Sequence, residues 1–453
     1  MEGLFLLYVY AVVMLFLTLR DRADGTRKFN TGGGRLRPGI GSLSIAAAWI
    51  WAPALFVSAE RSYLYGWQGL AWFVVPNVLS LVFFAPFAAR IRHLFPEGST
   101  LSGFMQDRYK SRPVGNVYRF QLGALAVLST GVQLLAGGKV LSAVTGVPFW
   151  LITIILSMIA FSYSHRAGIV ASVKTNALQM VLMLCVCAVA VPWAFILEGG
   201  KSALDGLAGV SSVGGWELAL AFGIPNAIRL ISGQFGDQSF WQRAFSIQRK
   251  HVFKSFLFAA LIFAVVPLSM GMLGFIAGGS GYVADNPGFV NFELIQSIFP
   301  AWFMVPFLFM VMSGLLSTVD SNLCAVSSLV SDVRGGLRVA QGSMAALLLL
   351  GICVANIPGI SVTALFLFYG TLRASTLFPT LLTLFGKRLA PTGVWVGVVL
   401  SVSVGLPVFS FGSIADIAEI KVLGSVLALG ISGAFAIIYT KGVGRNEDHE
   451  SKY

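Results

Sequence analysis

Charge is scarce in this sequence. Only 11% of its 453 residues are Asp, Glu, Lys or Arg, against about 25% in an ordinary soluble domain. So few polar groups could not cover a soluble surface, which excludes a cytosolic enzyme, a nucleic-acid binder and a disordered chain. Histidine is nearly absent. His93, His165, His251 and His449 sit in polar connections or the tail, which leaves almost nothing for a zinc or haem site. The four cysteines include no Cys-x-x-Cys. Cys185, Cys187, Cys324 and Cys353 lie in apolar runs and read as inert buried thiols. Paired carboxylates, a zinc triad and an activated nucleophile are also missing, so the chain does not read as an enzyme.

What is present is apolar. The hydrophobic fraction is 56% and the mean hydropathy +0.81, the composition of a polytopic membrane protein. A membrane helix needs about 20 mostly apolar residues. Thirteen segments meet that, near 3–19, 39–59, 68–89, 118–136, 148–164, 175–196, 216–238, 255–278, 301–330, 339–356, 361–385, 391–413 and 422–440. The first has no charged leader and no small-residue cleavage site, and reads as a retained helix.

The basic residues then set a topology. Of the 31, 25 fall in one alternate set of loops and four (Arg61, Lys139, Lys201 and Lys421) in the other, with Arg229 and Arg373 inside spans. That asymmetry places the amino terminus outside and the carboxyl terminus inside. It also accounts for the net charge of +12 without any nucleic acid. The tail 441–453 is too short for a fold of its own.

Interrupted helices mark ion and solute sites in transporters, because freed carbonyls and half-helix ends face the cavity. The second span carries Pro53 near its middle; the seventh carries Pro225, Gly233 and Gly236 together with Arg229. These two spans are five helices apart and begin two five-helix units, 39–196 and 216–385. Five is odd, so the second unit lies inverted. The expected architecture is all-α, with residues 1–38 as a preceding helix and basic loop, and 386–440 as two following helices.

Several stretches resemble the sodium:solute symporters of the leucine-transporter (LeuT) fold group. They are Gly32 to Arg35 (Gly-Gly-Gly-Arg), Leu43 to Trp49 (Leu-Ser-Ile-Ala-Ala-Ala-Trp) and Gln133 to Gly138 (Gln-Leu-Leu-Ala-Gly-Gly). Gly236 to Arg243 (Gly-Asp-Gln-Ser-Phe-Trp-Gln-Arg) and Met312 to Asn322 follow in order. The resemblance implies a sodium site built from the carbonyls of Ala47, Ile50 and Gly314 and the hydroxyls of Ser317 and Thr318. Neutral oxygens on a partly unwound helix suit a hard cation. The residues alone also allow Ser317 and Thr318 simply to bond carbonyls one turn back. Where family members with a second sodium carry Thr-Asp-x-x-Gln, this chain has Thr175-Asn-Ala-Leu-Gln179. Asp320 with Asn176 and Ser321 could replace that site, or Asp320 could pair with a basic residue.

Solute candidates at mid-span are Trp49, Trp51, Gln133, Arg229, Gln234, Tyr369 and Arg373. Either arginine could hold a carboxylate bidentately or pair internally. The run Ala48 to Ala54 resembles the urea-type branch, and the remainder stands as close to the proline-type branch. The expectation is a sodium-coupled symporter importing a small polar solute (urea, an amino acid, a small carboxylate or a sugar) through a bacterial inner membrane. A sodium-independent carrier, or a transporter-like sensor acting through a partner protein, is the alternative.

Overall fold

The computed structural model describes residues 2–360 and 362–450. Helix α1 (Glu2–Thr18) precedes a basic turn. Gly32, Gly33 and Gly34 all have left-handed φ (57°, 73° and 69°) and reverse the chain into α2 (Pro38–Trp49), whose first residue is proline. At Ile50 (φ −83°, ψ 99°) and Trp51 (φ −123°, ψ 174°) the backbone is extended. The cause is Pro53: it has no N–H to return to Trp49, so the α-ladder cannot continue. A short turn, Ala52–Leu55, resumes the helix and leads into α3 (Val57–Leu94).

Helix α3 contains a reversal at Gly66 (φ 58°, ψ −146°). A Cβ there would stand 2.0 Å from the Leu207 carbonyl oxygen, so only glycine fits. The second segment therefore runs past 59 and turns at Gly66. Then come α4 (Arg112–Thr145), α5 (Phe149–Ala167) and α6 (Ile169–Glu198).

The seventh segment is longer than its hydropathy. A π-turn at Ala219–Gly223 opens into α7 (Ile224–Ile231); residues 232–237 unwind, and α8 (Gln238–Ser246) completes it. Helices α9 (Val252–Gly279), α10 (Met304–Arg334) and α11 (Leu337–Ala355) follow, then α12 (Val362–Ala374) and α13 (Leu377–Leu384). The last pair is α14 (Pro391–Ile414) and α15 (Ala418–Glu450). They pack closely: a Cβ on Gly405 would lie 2.5 Å from the Ala428 nitrogen, and one on Gly424 2.3 Å from that of Phe409.

Among the described residues nine helices are long and apolar enough to cross a membrane, fewer than the thirteen expected spans. The other four segments are the shorter apolar helix Leu4–Thr18 and the interrupted ones at 38–55, 219–246 and 362–384. A hydropathy window averages across a break that ends the backbone hydrogen bonding. Burial of the cysteines holds for Cys187 and Cys324; Cys185 and Cys353 lie exposed on the outer faces of α6 and α11.

Helix α10 is the central element. It is buried along most of its length and packs on α2, α4 and α6. Its buried face is unusually polar, with Ser313, Ser317, Thr318, Asp320, Ser321, Asn322, Ser327 and Ser328 all buried. At one end the two interrupted segments are tied together. Leu36 N–H donates to Ser246 O (3.0 Å), and Gln248 N–H donates to Leu36 O (3.2 Å).

Candidate functional site: an oxygen cage and an aromatic box at two helix breaks

The first break frees carbonyls. Ile50 N–H still bonds Ala46 and Ala47, and the next backbone donors return to Trp51 and Ala52. The carbonyls of Ala48 and Ile50 lose their helical partners there. Helix α10 meets them. Ser317 Oγ lies 2.9 Å from Ala47 O and 2.8 Å from Gly314 O. Thr318 Oγ1 lies 3.3 Å from Ile50 O, 3.4 Å from Ala48 O and 3.4 Å from Gly314 O. The close approach depends on Gly314, where a Cβ would stand 2.8 Å from Leu55 Cδ1 and 3.2 Å from Ile50 Cγ2. All five expected sodium ligands thus converge, and Ser317 and Thr318 reach across to α2 as well as back along their own helix. The donors are neutral oxygens only, a set that suits a hard monovalent cation and not a transition metal.

Gln133 supports the break instead of facing a solute. Its Oε1 accepts from Ala52 N–H at 2.8 Å, which satisfies the first donor of the resumed helix.

Beside the cage stand three rings. Trp49 and Trp51 stack with centroids 5.9 Å apart, and Tyr369 meets Trp51 edge-on at 5.5 Å. The Arg373 guanidinium lies among them, 4.1 Å from the Tyr369 centroid, 5.5 Å from Trp49 and 5.6 Å from Trp51. Its Nη2 pairs with Asp237 Oδ2 at 3.1 Å. Asp237 belongs to the second break, where its carboxylate also accepts from Ser239 N–H (2.9 Å) and caps α8. The glycines of that break make the room: a Cβ on Gly233 would overlap the Trp49 ring, and one on Gly236 would press the Arg373 stem.

Two more of the seven solute candidates are directed elsewhere. Gln234 donates to Ser80 Oγ on α3 (2.9 Å). Arg229 lies along Gly370 on α12 with its head over the Phe409 ring of α14, 5.6 Å from the centroid.

The second cation candidates also come together. Ser172 Oγ donates to Asp320 Oδ1 (2.8 Å) and Thr175 Oγ1 to Oδ2 (3.2 Å). With its amide turned to satisfy both ends, Asn176 places its nitrogen 3.1 Å from either Asp320 oxygen and its oxygen 2.8 Å from Arg243 Nη2. Arg243 Nη2 also donates to Ser321 Oγ (2.6 Å), and Ser321 Oγ donates to Ser317 O (2.5 Å), so this cluster adjoins the cage. The basic-residue count placed Arg243 in a cytoplasmic connection, and that is corrected: it is wholly buried in α8. Ser44 and Ser239 O take its remaining bonds. Its place at the end of the Gly236–Arg243 stretch was the available signal.

The sequence profile of the sodium:solute symporter family matches residues 29–401. The chain belongs to that family. The family is one of multi-pass membrane transporters, and it and the relatives below are transporters, not enzymes. The urea–proton symporter DUR3 of rice (Oryza sativa subsp. japonica) is 23% identical over 84% of this chain and 60% of its own. The urea active transporter of Saccharomyces cerevisiae is 22% identical over 80% and 55%. The spermidine transporter DUR31 of Candida albicans is 22% identical over 70% and 61%. The chain thus spans three fifths or less of the length of the first two. Among solved structures, a sodium-coupled sialic acid symporter superposes with a TM-score of 0.77 at 14% identity, covering 97% of this chain and 98% of that one. The transporter MhsT in complex with L-phenylalanine gives 0.54 at 13%, covering 88% and 97%. Both likenesses establish the LeuT fold for this family member.

Proposed function

We propose that the protein is a sodium-coupled symporter that imports a small polar solute by alternating access, with urea the leading solute. The observation that carries it is the convergence of Ser317, Thr318 and Gly314 on the freed carbonyls of Ala47 and Ile50. Sodium entering the cage turns both hydroxyl hydrogens outward and takes their lone pairs. The hydrogen bonds that now link α2 to α10 become ion–oxygen bonds, so ion occupancy sets how the two helices are held. The solute sits among Trp49, Trp51 and Tyr369, next to the same break. Urea is favoured by the rice and yeast relatives and by a box of flat rings around a planar head.

Thirteen crossings are proposed, with an external amino terminus, units 39–196 and 216–385 inverted about each other, and two accessory helices in 386–440. A bacterial inner membrane is the proposed location. Tags at the amino terminus and in 279–300 should then be accessible from outside, and tags near Lys110 should not.

The Asp320 cluster with Asn176 and Ser321 is the proposed second coupling site. There a proton is a second reading beside a second sodium. Both carboxylate oxygens already accept hydrogen bonds, Arg243 already supplies a positive charge, and the rice relative is a urea–proton symporter.

Labelled-urea uptake into proteoliposomes, driven separately by a sodium gradient and by a pH gradient, tests the reading. Uptake driven by sodium and lost in Ser317→Ala/Thr318→Ala supports it. Uptake driven by pH alone, kept in that variant and lost in Asp320→Asn, replaces sodium with protons. Uptake needing neither gradient makes the protein an uncoupled carrier.

A further inference from the structure

An aromatic box is a good site for cations, because the ring faces attract positive charge. Here the box already contains one. The Arg373 head is planar, lies closest to Tyr369 and is held by Asp237. Two donors around it are buried without a hydrogen-bond partner, Trp49 Nε1 and Arg373 Nε. The box therefore holds unused polar capacity next to a planar, three-armed group of nearly the shape of urea.

We propose that Arg373 sets the solute specificity by standing in the box as a resident cation, excluding guanidinium and ammonium solutes and admitting only a neutral planar amide. The proposal rests on the small-solute reading of this site. Asp237 and Arg373 balance each other, and a neutral guest keeps that balance. A cationic guest would leave two positive charges on one carboxylate in a buried site, where an uncompensated charge is strongly unfavourable. Specificity of this kind is built by repulsion rather than by better contacts. A planar amide instead takes over the stack on Tyr369 as the guanidinium shifts aside, and its carbonyl can accept from the spare donors. The shift also loosens Asp237 at the head of α8, which links solute occupancy to the second break.

The test uses the purified full chain, free guanidinium at low millimolar concentration and sodium chloride at matched ionic strength. In the native protein guanidinium should neither compete with labelled urea nor raise the unfolding temperature. In Arg373→Ala it should do both, at a concentration at least about tenfold lower than any effect on the native protein, because the vacated box faces an unpaired carboxylate. In Arg373→Lys it should again do neither, since the charge remains. Competition by guanidinium in the native protein overturns the proposal. So does its failure to bind a folded Arg373→Ala. If that variant folds only with guanidinium present, the rescue is itself the expected binding. If the native protein takes no urea at all, the urea reading fails, and the thermal shift still decides the role of Arg373.

Discussion

The two helix breaks are built from opposite ends of the backbone. At the first, α2 ends and leaves carbonyls, which α10 meets with two hydroxyls and a glycine. At the second, α8 begins and needs acceptors, which Asp237 supplies while it holds Arg373. A carbonyl end suits a bare cation, and a capped amino end suits a carboxylate. In the proposed function one interruption serves an ion and the other positions a charged side chain beside the solute. Proline causes the first break, and glycines make room at the second.

The contrast can be broken most severely at the second break. Asp237→Ala removes the cap and leaves Arg373 buried without its carboxylate, a loss of about 3–5 kcal/mol in stability. Asp237→Asn keeps the cap and should recover about 1 kcal/mol of that. Thermal unfolding in detergent measures both; equal unfolding temperatures for the two variants would mean the cap contributes nothing. At the first break, Gly314→Val forces a side chain against Leu55 and Ile50, with an overpacking cost of about 1–3 kcal/mol. Sodium should then no longer stimulate uptake, while Gly430→Ala on α15, where a Cβ meets nothing within 4 Å, should leave the stimulation in place.

Gln133→Leu sharpens the comparison further. It orphans the buried Ala52 N–H, at about 1–3 kcal/mol. Its effect should appear in sodium half-saturation as well as in stability, because the resumed helix anchors the Ile50 carbonyl. The smallest effect is expected for Arg229→Lys. Its head lies over Phe409 of α14, so half-saturation for sodium and solute should be unchanged and stability lower by about 1 kcal/mol. A large rise in solute half-saturation would place Arg229 in the solute path after all.

Much of this was legible in the residues. Pro53 marked the first break, and the resemblance to the sodium:solute symporters pointed to the Ser317–Thr318 pair on the helix that meets it. Arg373 was visible as a charge inside an apolar segment. The second half of the seventh segment was not legible. Gln238, Ser239, Gln242, Arg243 and Ser246 look like a polar connection, yet all are buried. Three of them bond partners distant in sequence: Gln238 with Ser99 and Ser328, Gln242 with Asn30 and Cys324, Arg243 with Ser44 and Ser321. Hydropathy scores side chains one at a time and cannot register such pairing. Side-chain direction was equally hidden. Arg229 sits on the broken helix, and its sequence position gave no sign that it turns toward Gly370 and α14.

The central claim is that the five oxygens at the first break hold sodium. Labelled-sodium binding to the purified protein, without solute, tests it in the native chain and in Ser317→Ala/Thr318→Ala. The account predicts saturable binding that potassium does not displace. Each single substitution should weaken it about tenfold and the pair about a hundredfold, the loss of one and two ligand oxygens at roughly 1.4 kcal/mol apiece. Equal sodium affinity in the native and doubly substituted proteins, with both folded, would contradict it.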